Sequence, residues 1–213
     1  MKRFLHTNKF RLPILAAAFV FLTFSVIGQK TIQTADFNNG KCPTGWWYDE
    51  ASQSLYSAGW TFRWNGGSSY YPYPTKAYEG KYNAGAIVNT TNYGYTALND
   101  EYFLRTDSMD LSDYVGVKME FWYSSGQNYT GYGQHNLNVY YRTDQYSRWA
   151  GWTKAIGYTS MNVQGWNKAT ITIPDDSLTA QFQFAFGADL QTYYYYYDNG
   201  VQIDYVTIKG IPT

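Results

Sequence analysis

The stretch "GVQIDYVTIKG", residues 200–210, decides the fold by its alternation. Val201, Ile203 and Tyr205 fall on one side of an extended chain, and Gln202, Asp204 and Val206 on the other, because successive side chains of a strand point to opposite faces. An apolar residue at every second position reads as a strand with one dry face. The same period returns along the chain. Trp60, Phe62 and Trp64 alternate with Thr61 and Arg63, and Val115, Val117, Met119 and Phe121 with Gly116, Lys118 and Glu120. Leu137, Val139 and Tyr141, then Ala169, Ile171 and Ile173, then Phe182, Phe184 and Phe186 repeat it. Turn chemistry separates these runs at Asn65-Gly66-Gly67-Ser68, Ser124-Ser125-Gly126, Pro174-Asp175-Asp176-Ser177 and Asp198-Asn199-Gly200. One short helical turn is expected within residues 108–115, and no window reads as an amphipathic helix. Short strands at this spacing predict an all-β sandwich of jelly-roll type.

The first residues stand apart from that pattern. Met1 to Leu12 holds Lys2, Arg3, Lys9 and Arg11 and no acid, and Pro13 to Ile27 is almost wholly apolar. A basic start, a short apolar run and a small residue describe a secretory signal peptide, expected over residues 1–28. The run is shorter than the roughly 20 residues of a membrane span, so no span is expected after its removal. Residues 29–213 are expected to form one sandwich domain, secreted or held at the cell surface. The whole chain has 16 basic and 16 acidic residues. Without the leader, twelve basic face sixteen acidic, and a mildly acidic surface argues against nucleic acid as a partner. Cys42 is the only cysteine, so no internal disulfide forms, and no histidine is placed near it to make a catalytic thiol.

The order of motifs resembles a known family. Phe37 precedes Pro43-Thr44-Gly45-Trp46, and Glu79-Gly80 precedes "KYNAGAIV". "NDEYFLRTDSMDLSDYVGVKMEFWYSS" (99–125) is followed by "LNVYYRTDQYSRWAGWTKA" (137–155), "GWNKATITIP" (165–174), "FQFAFGADL" and "GVQIDYVTIKG". This series resembles the cleaved-adhesin and choice-of-anchor J domains, the MAM-like jelly rolls of exported Bacteroidetes proteins. The resemblance spans about residues 32 to 209. It implies a galactose-binding-like or MAM-like sandwich, a role in adhesion, and a structural calcium for which Asp204, Glu79 and Asn38 stand at the ligand positions. Calcium takes six to eight oxygens. The family's glutamate after the first Phe is Asn38 here, which removes one charge, and the second aspartate of the closing pair is Tyr205.

The aromatic residues suggest the function. The chain holds 24 tyrosines, 12 phenylalanines and 8 tryptophans, and a strand can bury only every second residue. Tyr193, Tyr195 and Tyr197, from a run of five tyrosines, together with Trp149 and Trp152, are therefore candidates for an exposed platform. Such rings combine apolar area with a polar handle and lose little entropy on binding. Their faces suit sugar rings or a protein surface. Trp46, Trp60, Trp64, Trp122 and Trp166 are expected in the core. The glutamates Glu50, Glu79, Glu101 and Glu120 do not form a close-spaced acidic strand motif. The expected function is thus non-catalytic binding or adhesion, to a glycan or a cell-surface protein. The alternative is a polysaccharide lyase or hydrolase, which requires His135 to meet Arg142 or Arg148, or two carboxylates to meet at glycosidase separation.

Overall fold

The structure, a computed structural model, describes residues 28–49, 56–64, 77–90, 101–125, 135–144, 151–158, 165–190 and 198–213. They form eleven strands: β1 (Lys30–Ala35), β2 (Trp46–Tyr48), β3 (Tyr56–Trp64), β4 (Asn83–Thr90), β5 (Glu101–Thr106), β6 (Tyr114–Ser125), β7 (His135–Arg142), β8 (Thr153–Tyr158), β9 (Asn167–Thr172), β10 (Gln183–Leu190) and β11 (Asp198–Pro212). One sheet runs β3-β4-β11-β6-β9 with β1 added against β11, and the other runs β2-β5-β10-β7-β8. Every pairing between these strands is antiparallel. The alternating residues meet between the two layers. Phe182, Phe184, Phe186, Leu137, Val139, Leu104, Val117, Met119, Phe121, Val201 and Ile203 are all buried there. The expected jelly-roll-class sandwich is the fold observed.

Aromatic rings key the layers together. Phe186 stands at the centre, with its ring edge-on to Phe121 at 5.0 Å and stacked on Trp46 at 6.3 Å. Trp46 reaches it through a turn in which its N–H bonds the Pro43 carbonyl at 3.1 Å, with Gly45 at φ 76°. That left-handed conformation favours glycine.

Strand β11 departs from simple alternation. Its register shifts between Asp204 and Thr207, and Tyr205 takes φ 47°. The extra residue reverses the faces. Tyr205, expected inside, is 38% exposed, while Val206, expected outside, is buried. A second shift between Lys209 and Ile211, opposite Gly116 at φ 58°, likewise turns Val115 outward. Asp198-Asn199-Gly200, expected as a turn, instead opens β11. A Cβ on Gly200 would lie 2.0 Å from the Ala86 carbonyl oxygen, so glycine is required by close approach of the neighbouring strand. The helical turn expected within 108–115 is reduced to a single turn in which the Tyr114 N–H bonds the Leu111 carbonyl at 3.1 Å. Met109 and Leu111 instead bond to Phe182 and Thr179 across the chain, and the 3-10 turn lies at Asp175–Ser177.

Phe186 has no room to be replaced by a smaller residue without a cavity. Phe186→Ala should lower unfolding free energy by about 3–5 kcal/mol, which denaturant titration would measure, while Val115→Ala at the exposed bulge should change it by under about 1 kcal/mol.

Candidate functional site

The outward face of the five-stranded sheet is the first candidate. Pairing registers set its side chains in rows. Gly157, Asn138, Gly187 and Phe103 form one row, and Asn136, Asp189 and Glu101 another. Lys154, Tyr140, Ala185, Arg105 and Trp47 form a third. Gly187 is the floor of this face. A Cβ there would meet Glu101 Oε1 at 2.2 Å and the Tyr140 ring at 2.9 Å, so its absence lets those two side chains cross over β10. Tyr140 Oη donates to Glu101 at 2.9 Å, and Asn138 Nδ2 donates to Glu101 Oε1 at 2.7 Å. Burial and the Glu101 carboxylate raise the Tyr140 phenol well above its ordinary range, so it stays a donor.

Aromatic rings bound the same face. Trp152 is partly exposed and stacks near Phe103, with centroids 6.2 Å apart, and the Arg142 guanidinium lies 4.7 Å from its centroid. Arg142 itself is buried and donates through Nε to Gln183 Oε1. Burial, then the neighbouring Arg105 charge, lowers its pKa. Trp152 is therefore a fixed wall. Trp47, on β2, is 58% exposed with its indole N–H on Asp107 at 2.6 Å. The face thus offers rings together with carboxylates, amides and arginines.

The second candidate is a seam in the six-stranded sheet. On one side β11 pairs with β4 through Ile203 and with β1 from Val206 onward. Asp204 lies at that change of partner and is fully buried. Its Oδ2 accepts the Glu79 N–H at 3.1 Å and its Oδ1 the Tyr205 N–H at 2.8 Å, and the Tyr78 N–H bonds it too. Asn38, just after β1, accepts the Lys81 N–H at 3.0 Å. Asp204 and Asn38 thus each accept an N–H from the segment that holds Glu79, the third residue the resemblance singled out. Burial raises the Asp204 carboxyl from 3.8 to about 6, the three N–H groups oppose the rise, and the Glu79 charge adds to it. The set suits a hard cation in donor chemistry, with two carboxylates and an amide oxygen. No cluster of three His, Cys, Asp or Glu side chains occurs among the described residues, so backbone carbonyls and water would complete the shell.

The remaining expectations divide. Trp149, Tyr193, Tyr195 and Tyr197 lie outside the described residues. Trp46 and Trp60 are core residues, but Trp122 is on an outward face, stacked on Tyr78 at 3.8 Å. His135 is buried on the inward face of β7 and Arg142 belongs to its outward face, so those two do not meet. Glu101 and Glu120 stand on different sheets. Cys42 bonds the Trp46 carbonyl at 3.4 Å, and burial pushes its thiol up to about 11, which leaves it unreactive. Phe103 and Tyr140 were not singled out from the sequence, and Glu101 was weighed there only for catalysis. Their signal was the polar and aromatic alternate set of β5 and β7, visible only once β10 lies between them.

No protein-family model matches the chain, and no curated protein matches it. Solved structures do. The K1 cleaved adhesin domain of Lys-gingipain from Porphyromonas gingivalis W83 is similar at TM-score 0.55 and 18% identity, over 84% of this chain and 97% of that one. The K3 cleaved adhesin domain of the same protein is similar at TM-score 0.53 and 15% identity, over 85% and 99%. A carbohydrate-binding module that recognises mannan is more distant, at TM-score 0.44 and 14% identity, over 86% and 98%. The resemblance to cleaved adhesin domains therefore holds at the level of the fold.

The Asp204 shift has a definite sign. Its folded pKa of about 6 exceeds the ordinary 3.8, so the folded state holds the proton more tightly. Stability from this group is full below about pH 4 and lost as pH rises through about 6. The rise corresponds to roughly 3 kcal/mol at most. In chelator, wild type should lose stability relative to Asp204→Asn between pH 4 and 7, and a parallel pair of pH profiles would contradict the assignment.

Proposed function

We propose that this chain is an exported, non-catalytic binding domain whose five-stranded sheet takes a glycan across its outward face. The observation that carries this reading is the set of side chains crossing Gly187, with Tyr140, Glu101 and Asn138 bonded to one another on the face that also carries Trp152 and Trp47. Rings accept the apolar faces of sugars, and fixed carboxylates, amides and arginines take their hydroxyls. Strands lie about 4.8 Å apart, so the span from β2 to β7 is ~14 Å, enough for several sugar units. The expected leader of residues 1–28 supports export. Against hydrolysis, the two carboxylates paired on this face are both engaged, Glu101 by Tyr140 and Asn138 and Asp189 by Asn136.

The reading includes a structural calcium at the seam, with Asp204 and Glu79 as its carboxylates and Asn38 as an amide ligand. Its support is a buried carboxylate beside a second one, countered only by backbone N–H groups among the effects that shift it. An ion there would tie the end of β1 to the start of β4. It would add stability as the logarithm of its concentration over Kd.

Two measurements test these readings. Depletion by a panel of polysaccharides and host glycoproteins, followed by assays for reducing ends and unsaturated sugars, should show binding without product. Trp47→Ala and Trp152→Ala should each weaken it about tenfold, or ~1.4 kcal/mol. Product release would mark an enzyme, and retention only by deglycosylated protein would mark a protein partner. Separately, millimolar calcium should raise Tm over chelator in wild type and leave Asp204→Asn unmoved. Equal Tm values in wild type would remove the ion from the account.

A further inference from the structure

The six-stranded sheet carries a groove on its own outward face, opposite the surface just described. Its volume is about 260 Å³, and Thr31, Thr34, Glu120, Trp122, Lys168, Tyr205, Thr207 and Lys209 line it. Pairing registers produce the arrangement. Trp122 is opposite Lys168 on β9 and Asp204 on β11, and Thr207 lies between Glu120 and Thr34. We propose that this groove is a binding site for a carboxylate-bearing sugar residue of an acidic glycan.

Charge gives the first argument. Lys168 Nζ meets Glu120 Oε1 at 3.0 Å, and Lys209 Nζ meets Oε2 at 2.8 Å. Two cations share one anion among the lining residues, while the Asp204 carboxylate beside Trp122 is taken up by backbone N–H groups. The bonds from Lys209 and then Lys168 hold the Glu120 carboxyl below its ordinary pKa. Each ammonium has three N–H donors and spends one on Glu120. Exposed ion pairs add little to stability, while holding a lysine in one geometry costs rotamer entropy. Stability alone is therefore a poor reason to gather two lysines on one acid.

Shape gives the second argument. Tyr78 stacks on Trp122 at 3.8 Å and fixes its indole in the groove. Tyr205 is held at φ 47°, a conformation costly for a residue with a side chain and kept only where the surroundings impose it. The Asp204 carboxylate does so by accepting the Tyr205 N–H at 2.8 Å. The outcome is an exposed phenol at the lip of the groove. Rings for a sugar face, threonine hydroxyls for its hydroxyls and spare ammonium donors for a carboxylate describe one ligand class. The volume lies just under the ~300–1,000 Å³ of drug-sized pockets, which fits one or two sugar rings. This inference does not rest on the function proposed for the five-stranded sheet.

The test is a titration of the mature chain followed by amide and indole NMR, with sodium glucuronate, N-acetylneuraminate, glucose and sodium acetate as probes. The acidic sugars should shift the Trp122 indole resonance with millimolar affinity that weakens in 0.5 M salt. Glucose and acetate should bind at least tenfold more weakly, since each supplies only half of the recognition. Lys209→Met and Lys168→Met should each weaken the acidic sugars. Glu120→Gln should strengthen them several-fold by releasing both lysines, a gain that damage to the fold would not produce. Equal binding of glucose and glucuronate, no shift at Trp122, shifts confined to Trp47 and Trp152, or weaker binding by Glu120→Gln would each overturn the proposal.

Discussion

Strand β11 changes neighbour in mid-course, from β4 to β1, and a sheet cannot change neighbour without leaving backbone groups unpaired. Buried unpaired N–H groups cost free energy comparable to a lost hydrogen bond. Asp204 meets that constraint from within the strand. Its two oxygens take the N–H groups of Tyr78, Glu79 and Tyr205, and Asn38 takes that of Lys81. A neutral side chain could not accept so many donors at once, which is the physical reason a carboxylate stands inside an apolar strand. The cost is a buried charge, and the raised pKa is the measure of it. The placing of Tyr205, Val206 and Thr207 follows, because the bulge just after Asp204 reverses the faces beyond it.

The class of the fold was legible in the sequence because period two is a property of the single strand. Phe182, Phe184 and Phe186 needed no partner to be read as one face. What was not legible depends on pairing. Tyr205 and Val115 were assigned inward by parity, and each is turned out by a register break that has no local signature beyond Gly116 or the Asp204 carboxylate. That Asp204 and Asn38 both bear on the segment 79–81 was legible through motif order. The rows of Phe103, Gly187, Asn138 and Glu101 were not, since they join residues far apart in the chain. Trp152 was read as an open platform, whereas Arg142 and Phe103 hold it as a wall.

The two outward faces differ in chemistry although both carry rings. On the five-stranded sheet Glu101 and Asp189 lie among amides and two arginines, and charges of both signs are bonded locally. On the six-stranded sheet the lysines outnumber the acid at the groove. The sandwich thus separates two surfaces of different chemistry by its own thickness, with an apolar layer between them.

The position of β11 has a consequence for how the chain is made. It is the last of the eleven strands in chain order, yet β1, β4 and β6 all pair with it. A chain emerging from its N-terminus therefore has every neighbour of that strand in hand and nothing to zip them together until residues 198–212 arrive. Closing such distant contacts is slow, since loop entropy is lost before pairing compensates it. A sheet whose keystone is synthesised last stays open, and threadable, until that strand has emerged, which suits the export proposed for this chain.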